Sequence, residues 1–97
     1  MFLSSYDFTG DSDELLAGYD KLMTSFPVDL IIFHVCVRTD DGIRIIDGCP
    51  THADFIAFST SPTFAAALDA AGLPRPTIVE LGAVHAARTR DGVLAIA

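Results

Sequence analysis

Some segments of this chain repeat apolar residues at every second position, and others repeat them three or four positions apart. The alternation of these two kinds of segment limits the possible folds more than any other feature. Strands are favoured where apolar or aromatic residues recur at every second position or run continuously with β-branched side chains. Four segments have this character: Met1–Phe8, Leu30–Arg38, Ile43–Gly48 and Thr77–Ala87. Two further segments repeat apolar residues three or four positions apart, which is typical of helices with one buried side. The resulting order is strand, helix, strand, strand, helix, strand.

The first helix has clear signals at both ends. Asp11 is a predicted N-cap with Glu14 three residues later, the spacing of a capping box. The helix is expected to end before Pro27, because the residue preceding proline avoids helical geometry. Its apolar stripe is predicted to lie in the core: Leu15, Leu16, Tyr19, Leu22, Met23 and Phe26.

The second helix is predicted in two pieces. Thr51 caps the first piece, Ser61-Pro62 breaks and restarts the helix, and Gly72 ends it. After the last strand, Asp91-Gly92 favours a turn into a short additional strand over Val93–Ala97. No linker or internal repeat divides the sequence, so residues 1–97 are expected to form one domain.

This order predicts an α+β, ferredoxin-like βαββαβ fold, with a four-stranded antiparallel sheet and the helices on one face. The other face of the sheet would be open. The chain is 51% apolar with a mean hydropathy of +0.43, a high value for a small monomer. We therefore expect a second copy to cover the open face, against the rows Leu30/Ile32/Cys36 and Ile43/Ile45, as a sheet-to-sheet homodimer.

Charge and missing residue types exclude several classes of function. Thirteen Asp and Glu residues outnumber six Lys and Arg, for a net charge of −7, which disfavours nucleic acids and anionic membranes as partners. The sequence shows neither a secretion signal nor an apolar run of the ~20 residues that span a membrane, which favours a cytoplasmic location. Trp, Asn and Gln are absent. An active site must therefore use His, Asp, Glu, Tyr, Ser, Thr, Cys, Arg or backbone groups.

Three stretches carry a family resemblance: Ile45–Phe55, Ser61-Pro62 and Ala70–Leu73. They resemble the dimeric α/β-barrel superfamily, which includes antibiotic-biosynthesis-monooxygenase-like domains, and the resemblance covers nearly the whole chain. It implies two sheets paired face to face, with a pocket between sheet and helices or inside the barrel. Members include cofactor-independent monooxygenases, haem-degrading enzymes, isomerases and ligand sensors. Cys49 stands where members commonly carry Trp, and the haem-degrading branch needs an Asn and a Trp that this chain lacks.

His34 is the first candidate for chemistry, because it interrupts an apolar strand and shares a row with Cys36. If that row lines a cavity, His34 would act as a general acid/base and Cys36 would lie beside the ligand. Glu80 on the last strand would pair with His34 if both face the same cavity. The alternatives are a histidine held by backbone groups or by a second copy, and a glutamate exposed on an edge strand.

Tyr6 is the second predicted catalytic residue, where its phenol would orient a substrate. It would otherwise fill the core or an interface as an amphipathic residue. Asp47 either faces a cavity or marks the end of its strand. His85 is placed on the last strand, in the row of Val79. Asp47 and His85 complete the predicted ligand-binding set of Cys36, Glu80, Asp47 and His85.

Cys49 and His52 have the C-x-x-H spacing of two metal ligands, but a metal site needs three or four, so no metal and no cofactor are predicted. Two hypotheses about function remain. The first is a cofactor-independent, monooxygenase-like or isomerase-like enzyme that acts on a small apolar or aromatic metabolite through His34 and Tyr6. The second is a non-catalytic dimer that binds a small ligand or another protein. The sequence does not decide whether the chain is an enzyme.

Overall fold

The computed structural model describes residues 1–26 and 29–96; Pro27 and Ala97, which figure in the expectations above, lie outside the described residues. The elements follow the predicted alternation, with the second helix in two pieces. Their bounds are β1 Phe2–Thr9, α1 Ser12–Ser25, β2 Phe33–Thr39, β3 Gly42–Cys49, α2 His52–Ser59, α3 Pro62–Ala71, β4 Thr77–Ala83, β5 Ala86–Thr89 and β6 Gly92–Ile96. The fold is α+β.

The main sheet has four antiparallel strands in the order β2-β3-β1-β4, which is compatible with a ferredoxin-like fold. β5 and β6 form a separate two-stranded sheet. The predicted additional strand therefore exists as β6 over Gly92–Ile96, and it pairs with β5.

Two predicted strands are longer than the strands observed, for one physical reason. β4 ends at Ala83 rather than continuing to Ala87, because Ala83 pairs with Phe2, the first residue of β1. β2 begins at Phe33 rather than Leu30, because Phe33 pairs with Gly48, one residue before β3 ends. Regular pairing ends at these residues, and beyond them a single backbone bond continues in each case: Val84 N–H donates to the carbonyl oxygen of Met1 and Ile32 N–H to that of Gly48, both at 2.8 Å.

The predicted helix signals are confirmed. Side-chain oxygens of Asp11, Thr51 and Ser61 each accept a hydrogen bond from the backbone N–H three residues later, at 3.0–3.1 Å. α1 ends at Ser25. Gly72 ends α3 in the left-handed conformation, with φ 73°, where a glycine has no Cβ penalty.

The helices cover the face of the sheet that the sequence analysis predicted to be open. Ile43 and Ile45, expected on the open face, are 1% and 5% exposed beneath the helices. The row that lies open instead carries Val35 and Val37 on β2, at 36% and 41% exposure. Two residues of the edge strand β4, Val79 and Leu81, are exposed to 42% and 52%. The expectation about rows was wrong because both rows are apolar enough to be buried.

Candidate functional site

A row of polar side chains crosses the helix-facing side of the sheet, one from each strand. In the strand register His34 on β2 lies opposite Asp47 on β3, Asp47 lies opposite Ser4 on β1, and Ser4 lies opposite Glu80 on β4. Directly opposed residues of an antiparallel pair point to the same side of the sheet. Residues far apart in sequence are therefore brought into one line beneath the helices.

At the β2 end of this row, Tyr19, His34 and Asp47 form a hydrogen-bonded chain. His34 Nδ1 is 2.5 Å from Asp47 Oδ1, and His34 Nε2 is 2.6 Å from the hydroxyl of Tyr19. Because a carboxylate only accepts, we assign the proton of the neutral imidazole to Nδ1, which leaves Nε2 to accept the phenol O–H. The ring planes of Tyr19 and His34 differ by only 8°. The arrangement orients the imidazole through both of its nitrogens.

The start of α1 is tied to the β2–β3 turn, and this attachment places Tyr19 beside His34. The Ser12 hydroxyl donates to the carbonyl oxygens of Thr39 at 3.1 Å and Gly42 at 2.9 Å. At Gly42 an added Cβ would lie 1.8 Å from the carbonyl oxygen of Phe8, so the turn needs glycine for close backbone approach. Two helical turns separate Ser12 from Tyr19 on the same helix.

The side chains of this hydrogen-bonded chain differ in how deeply they are buried. The side chain of Asp47 is 4% exposed, whereas that of His34 is 26% exposed. Burial is the main cause that raises the pKa of Tyr19, with smaller contributions from the thiol of Cys36 and the carboxylates of Asp47 and Asp20. The phenol is therefore held in its protonated form, as a donor to the imidazole.

A small cavity lies between the sheet and the helices, and His34 and Asp47 form its polar part. Its free volume is about 20 Å³, room for about one water molecule. The remaining walls are largely apolar and aromatic. The lining residues are Tyr6, Phe8, Leu22, Met23, Phe26, Ile31, His34, Ile45, Asp47, Phe58 and Phe64.

Tyr6 borders this cavity and is 1% exposed, with its ring packed edge-on against Phe58 and Phe64. Burial is the main cause that raises its pKa strongly, side-chain hydrogen bonding with Ser4 lowers it, and the charge of Asp47 adds to the increase. Within residues 1–26 and 29–96, the hydroxyls of Tyr6 and Ser4 have no hydrogen-bond partner of normal geometry. A bond between the two hydroxyls would satisfy one donor, so at least one buried donor lacks an acceptor beside Asp47.

The structure does not form the pair of Glu80 with His34. Glu80 Oε1 is instead 2.8 Å from Nε2 of His52, at the start of α2, and both side chains are more than half exposed. His34 takes Asp47 as its carboxylate. The sequence could not show which carboxylate His34 would meet, because that depends on the order of the strands in the sheet. In the observed order, two strands separate Glu80 from His34.

The other two predicted ligand-binding residues lie outside the cavity as the described residues outline it. Cys36 is half-buried on β2 opposite Ile45, and burial raises the pKa of its thiol. His85 was predicted on the last strand, but β4 ends two residues before it, and it lies exposed in the connection to β5.

Tyr19 is the residue of the hydrogen-bonded chain that sequence reasoning missed, because it was assigned to the core with the other aromatic residues of α1. One signal was available: it is the only member of the apolar stripe that carries a hydroxyl. A phenol that faces the core usually has a polar partner there. Asp47, which the sequence left undecided, faces the cavity.

Within the described ranges, no three His, Cys, Asp or Glu side chains are grouped as metal ligands would be. Of the helices described, none is long and apolar enough to cross a membrane. No family model matches the chain, and no curated protein matches it. The basis for a functional proposal is therefore the geometry of the site.

Proposed function

We propose that this chain is a cofactor-independent acid–base enzyme, isomerase-like or monooxygenase-like, that acts on a small apolar or aromatic metabolite. One observation carries the proposal: the imidazole of His34 is held between Tyr19 and the buried Asp47 and borders an apolar cavity. A histidine oriented by a carboxylate is a common general base.

The proposed step is a proton transfer. The acidic group of the substrate takes the place of the Tyr19 phenol at Nε2 of His34 and gives its proton to that nitrogen. Asp47 keeps the Nδ1 proton in place and stabilises the imidazolium that forms. Return of the proton to a different atom of the substrate completes an isomerisation with no net change in protons or electrons. In the monooxygenase-like version, dioxygen is a second substrate: it adds to the deprotonated carbon of a CH2 group to form a peroxide, which takes a proton and loses water, so that one oxygen atom stays as a carbonyl group and the other leaves as water.

We also propose a homodimer in which a second copy covers the open sheet face. The exposed apolar residues of the two outer strands, Val35 and Val37 on β2 and Val79 and Leu81 on β4, support it, because a second copy would remove them from water. Charge supports a second copy in particular. The open face pairs Asp7 with Arg44, whereas the acidic start of α1, at Asp13 and Glu14, lies on the helix side. Two open faces would therefore meet without bringing the acidic clusters together.

The second candidate is a non-catalytic dimer that binds a small ligand or another protein. The free volume of the cavity favours its protein-binding form, because about 20 Å³ admits a water molecule and no small organic ligand without movement of the walls. Turnover distinguishes this candidate from the enzyme.

The test is exchange of carbon-bound hydrogen in small aromatic ketones. Acetophenone and phenylacetone are incubated with the protein in D2O, and loss of the α-proton signals is followed by NMR. We expect the wild-type protein to accelerate exchange and His34→Gln to lose roughly 100-fold or more of that acceleration. The matched control is His52→Gln, which removes the exposed histidine of the Glu80 pair and should leave the rate unchanged.

An equal rate in His34→Gln and the wild-type protein would remove His34 from the mechanism. Binding of the ketones without any accelerated exchange would favour the non-catalytic candidate.

A further inference from the structure

Two unpartnered hydroxyls point to a ligand-binding position that the acid–base chain does not explain. Ser4 is 0% exposed and Tyr6 is 1% exposed, and neither hydroxyl has a hydrogen-bond partner of normal geometry in the described part of the chain. Hydrogen bonding with Ser4 contributes to the pKa of Tyr6, so the two hydroxyls lie close together, and a bond between them would use only one of their two protons. Buried polar groups in proteins are almost always hydrogen-bonded, because an unsatisfied one is costly. Two such groups on one face of one strand indicate that a further oxygen atom completes the site.

The strand register places this pair beside the acid–base chain. Ser4 lies directly opposite Asp47, and Tyr6 follows two residues later on the same side of β1. The Tyr6 side chain borders the same cavity as His34 and Asp47. The influence of both Ser4 and Asp47 on the pKa of Tyr6 agrees with this closeness.

We propose that the hydroxyls of Tyr6 and Ser4 together bind one neutral carbonyl oxygen of the substrate, and that the substrate is a small aromatic or alicyclic ketone. This inference rests on the proposed function and names its substrate class. Both groups are donors, and a carbonyl oxygen has two lone pairs with which to accept from both.

The surroundings select against charged ligands. The carboxylate of Asp47 lies opposite Ser4, so a carboxylate or phosphate group at this position would be repelled. The walls around Tyr6 are aromatic, with Phe58 and Phe64 in edge contact, and they suit an uncharged apolar body. Met23 also lines the cavity, and its flexible side chain can move to admit that body.

The subsite would also act in the proton transfer. When His34 removes a proton from the carbon beside the carbonyl group, negative charge develops on the carbonyl oxygen. The hydrogen bonds from the two hydroxyls strengthen as this charge develops, which offsets the repulsion from Asp47 and favours the enolate. Tyr6 and Ser4 are then the oxyanion-binding groups, and His34 is the base.

The experiment compares acetophenone with α-methylstyrene, in which a CH2 group replaces the carbonyl oxygen at nearly the same shape. Dissociation constants are measured by NMR titration for the wild-type protein, Tyr6→Phe and Ser4→Ala. We expect the wild-type protein to prefer acetophenone by roughly tenfold or more, and each variant to lose about a factor of three to ten of that preference. Binding of α-methylstyrene should change little.

Ser5→Ala is the matched control. Ser5 is the neighbouring buried serine of β1, 4% exposed, and its side chain points to the opposite face of the sheet. It should keep the wild-type preference. Thermal unfolding of each variant establishes that it is folded before binding is compared.

Equal affinity of the wild-type protein for the two probes, or no binding of acetophenone at millimolar concentration, would overturn the subsite. Retention of an ordered water between the two hydroxyls in the presence of acetophenone would overturn it as well. His34→Gln separates the two proposals: a variant that keeps both the ketone preference and the wild-type exchange rate supports the subsite and refutes the base. Exchange that depends on His34, together with an unchanged ketone preference in Tyr6→Phe, supports the base and refutes the subsite.

Discussion

The two faces of the four-stranded sheet each depart from the usual arrangement at a few positions. The face beneath the helices carries the polar groups of His34, Asp47 and Ser4, whereas the face away from them exposes Val35 and Val37. An antiparallel sheet with one covered face normally buries its apolar side chains and exposes the polar ones. Among the described residues, the helix-facing side thus holds the hydroxyls of Tyr6 and Ser4 without a partner of normal geometry, and the open side leaves apolar residues exposed.

The polar side chains of the two faces also differ in their hydrogen-bond partners and in their burial. On the helix-facing side, Asp47 is held by His34, and His34 by Tyr19. On the open side, the polar groups that the structure connects include the surface pair of Asp7 with Arg44, with Nε of Arg44 2.6 Å from Oδ1 of Asp7. The same pairing of an acid with a base is buried on one face and solvated on the other. Substitutions on the two faces should therefore have different consequences.

The largest effect is expected for Asp47→Ala. This change removes a buried hydrogen bond to a charged group and leaves the Nδ1 donor of His34 without a partner, so the free energy of unfolding should fall by about 2–3 kcal/mol. Urea unfolding at fixed protein concentration measures it. Asp7→Ala, on the open face, is the control and should cost much less, because its partner is exposed. Equal losses would show that the two faces do not differ in this respect.

The next effect concerns the open face. Val37→Lys should convert the proposed dimer to a monomer, raising the dissociation constant by roughly tenfold or more, because a charge would be buried in an apolar contact. Ile56→Lys on α2 is the control: Ile56 is 40% exposed, Val37 is 41% exposed, and only Val37 lies on the sheet. Sedimentation or light scattering measures the mass. A monomeric wild-type protein at micromolar concentration would contradict the dimer.

Alkaline pH should destabilise the fold through the phenols beneath the helices. Burial raises the pKa of Tyr6 and Tyr19 above the ordinary value of 10.0, so the unfolded chain loses these protons before the folded chain does. Below pH 10 their contribution is constant. Above it, the free energy of unfolding falls by up to about 1.4 kcal/mol per pH unit for each phenol. Urea midpoints between pH 7 and 11 measure the decline, and Tyr6→Phe should make it shallower. An unchanged slope in that variant would contradict the assignment to Tyr6.

The smallest effects separate the two tyrosines. Tyr19→Phe removes a hydrogen bond to His34 and should lower the free energy of unfolding by about 1 kcal/mol. Tyr6→Phe removes a hydroxyl without a partner in the described residues, so stability should be unchanged or rise by up to about 1 kcal/mol. Thermal unfolding of both variants measures the difference. A loss in Tyr6→Phe as large as that in Tyr19→Phe would show that the Tyr6 hydroxyl has a structural partner.

Local features of this fold were predictable from the sequence, and long-range ones were not. The caps at Asp11, Thr51 and Ser61 depend on atoms three residues apart, so the sequence contains the whole interaction. The partner of His34 was not predictable, because Glu80 and Asp47 are equally acidic and only the sheet order distinguishes them. His34 itself was identified correctly as a polar group within an apolar strand, and its role stays a prediction.

By itself, the sequence determined the alternation of helices and strands and the ends of each helix, because propensity, capping and periodicity act within a few residues. Only the tertiary structure decided which row of each strand faces the helices. Alternation along a strand defines two rows of side chains, but it does not show which row faces the helices. Here the row with His34 and Asp47 and the row with Val35 and Val37 were both apolar enough to lie on either face of the sheet. Packing of the helices chose between them. That choice placed Tyr19 against His34 and Ser4 against Asp47, and left the more apolar row of β2 open.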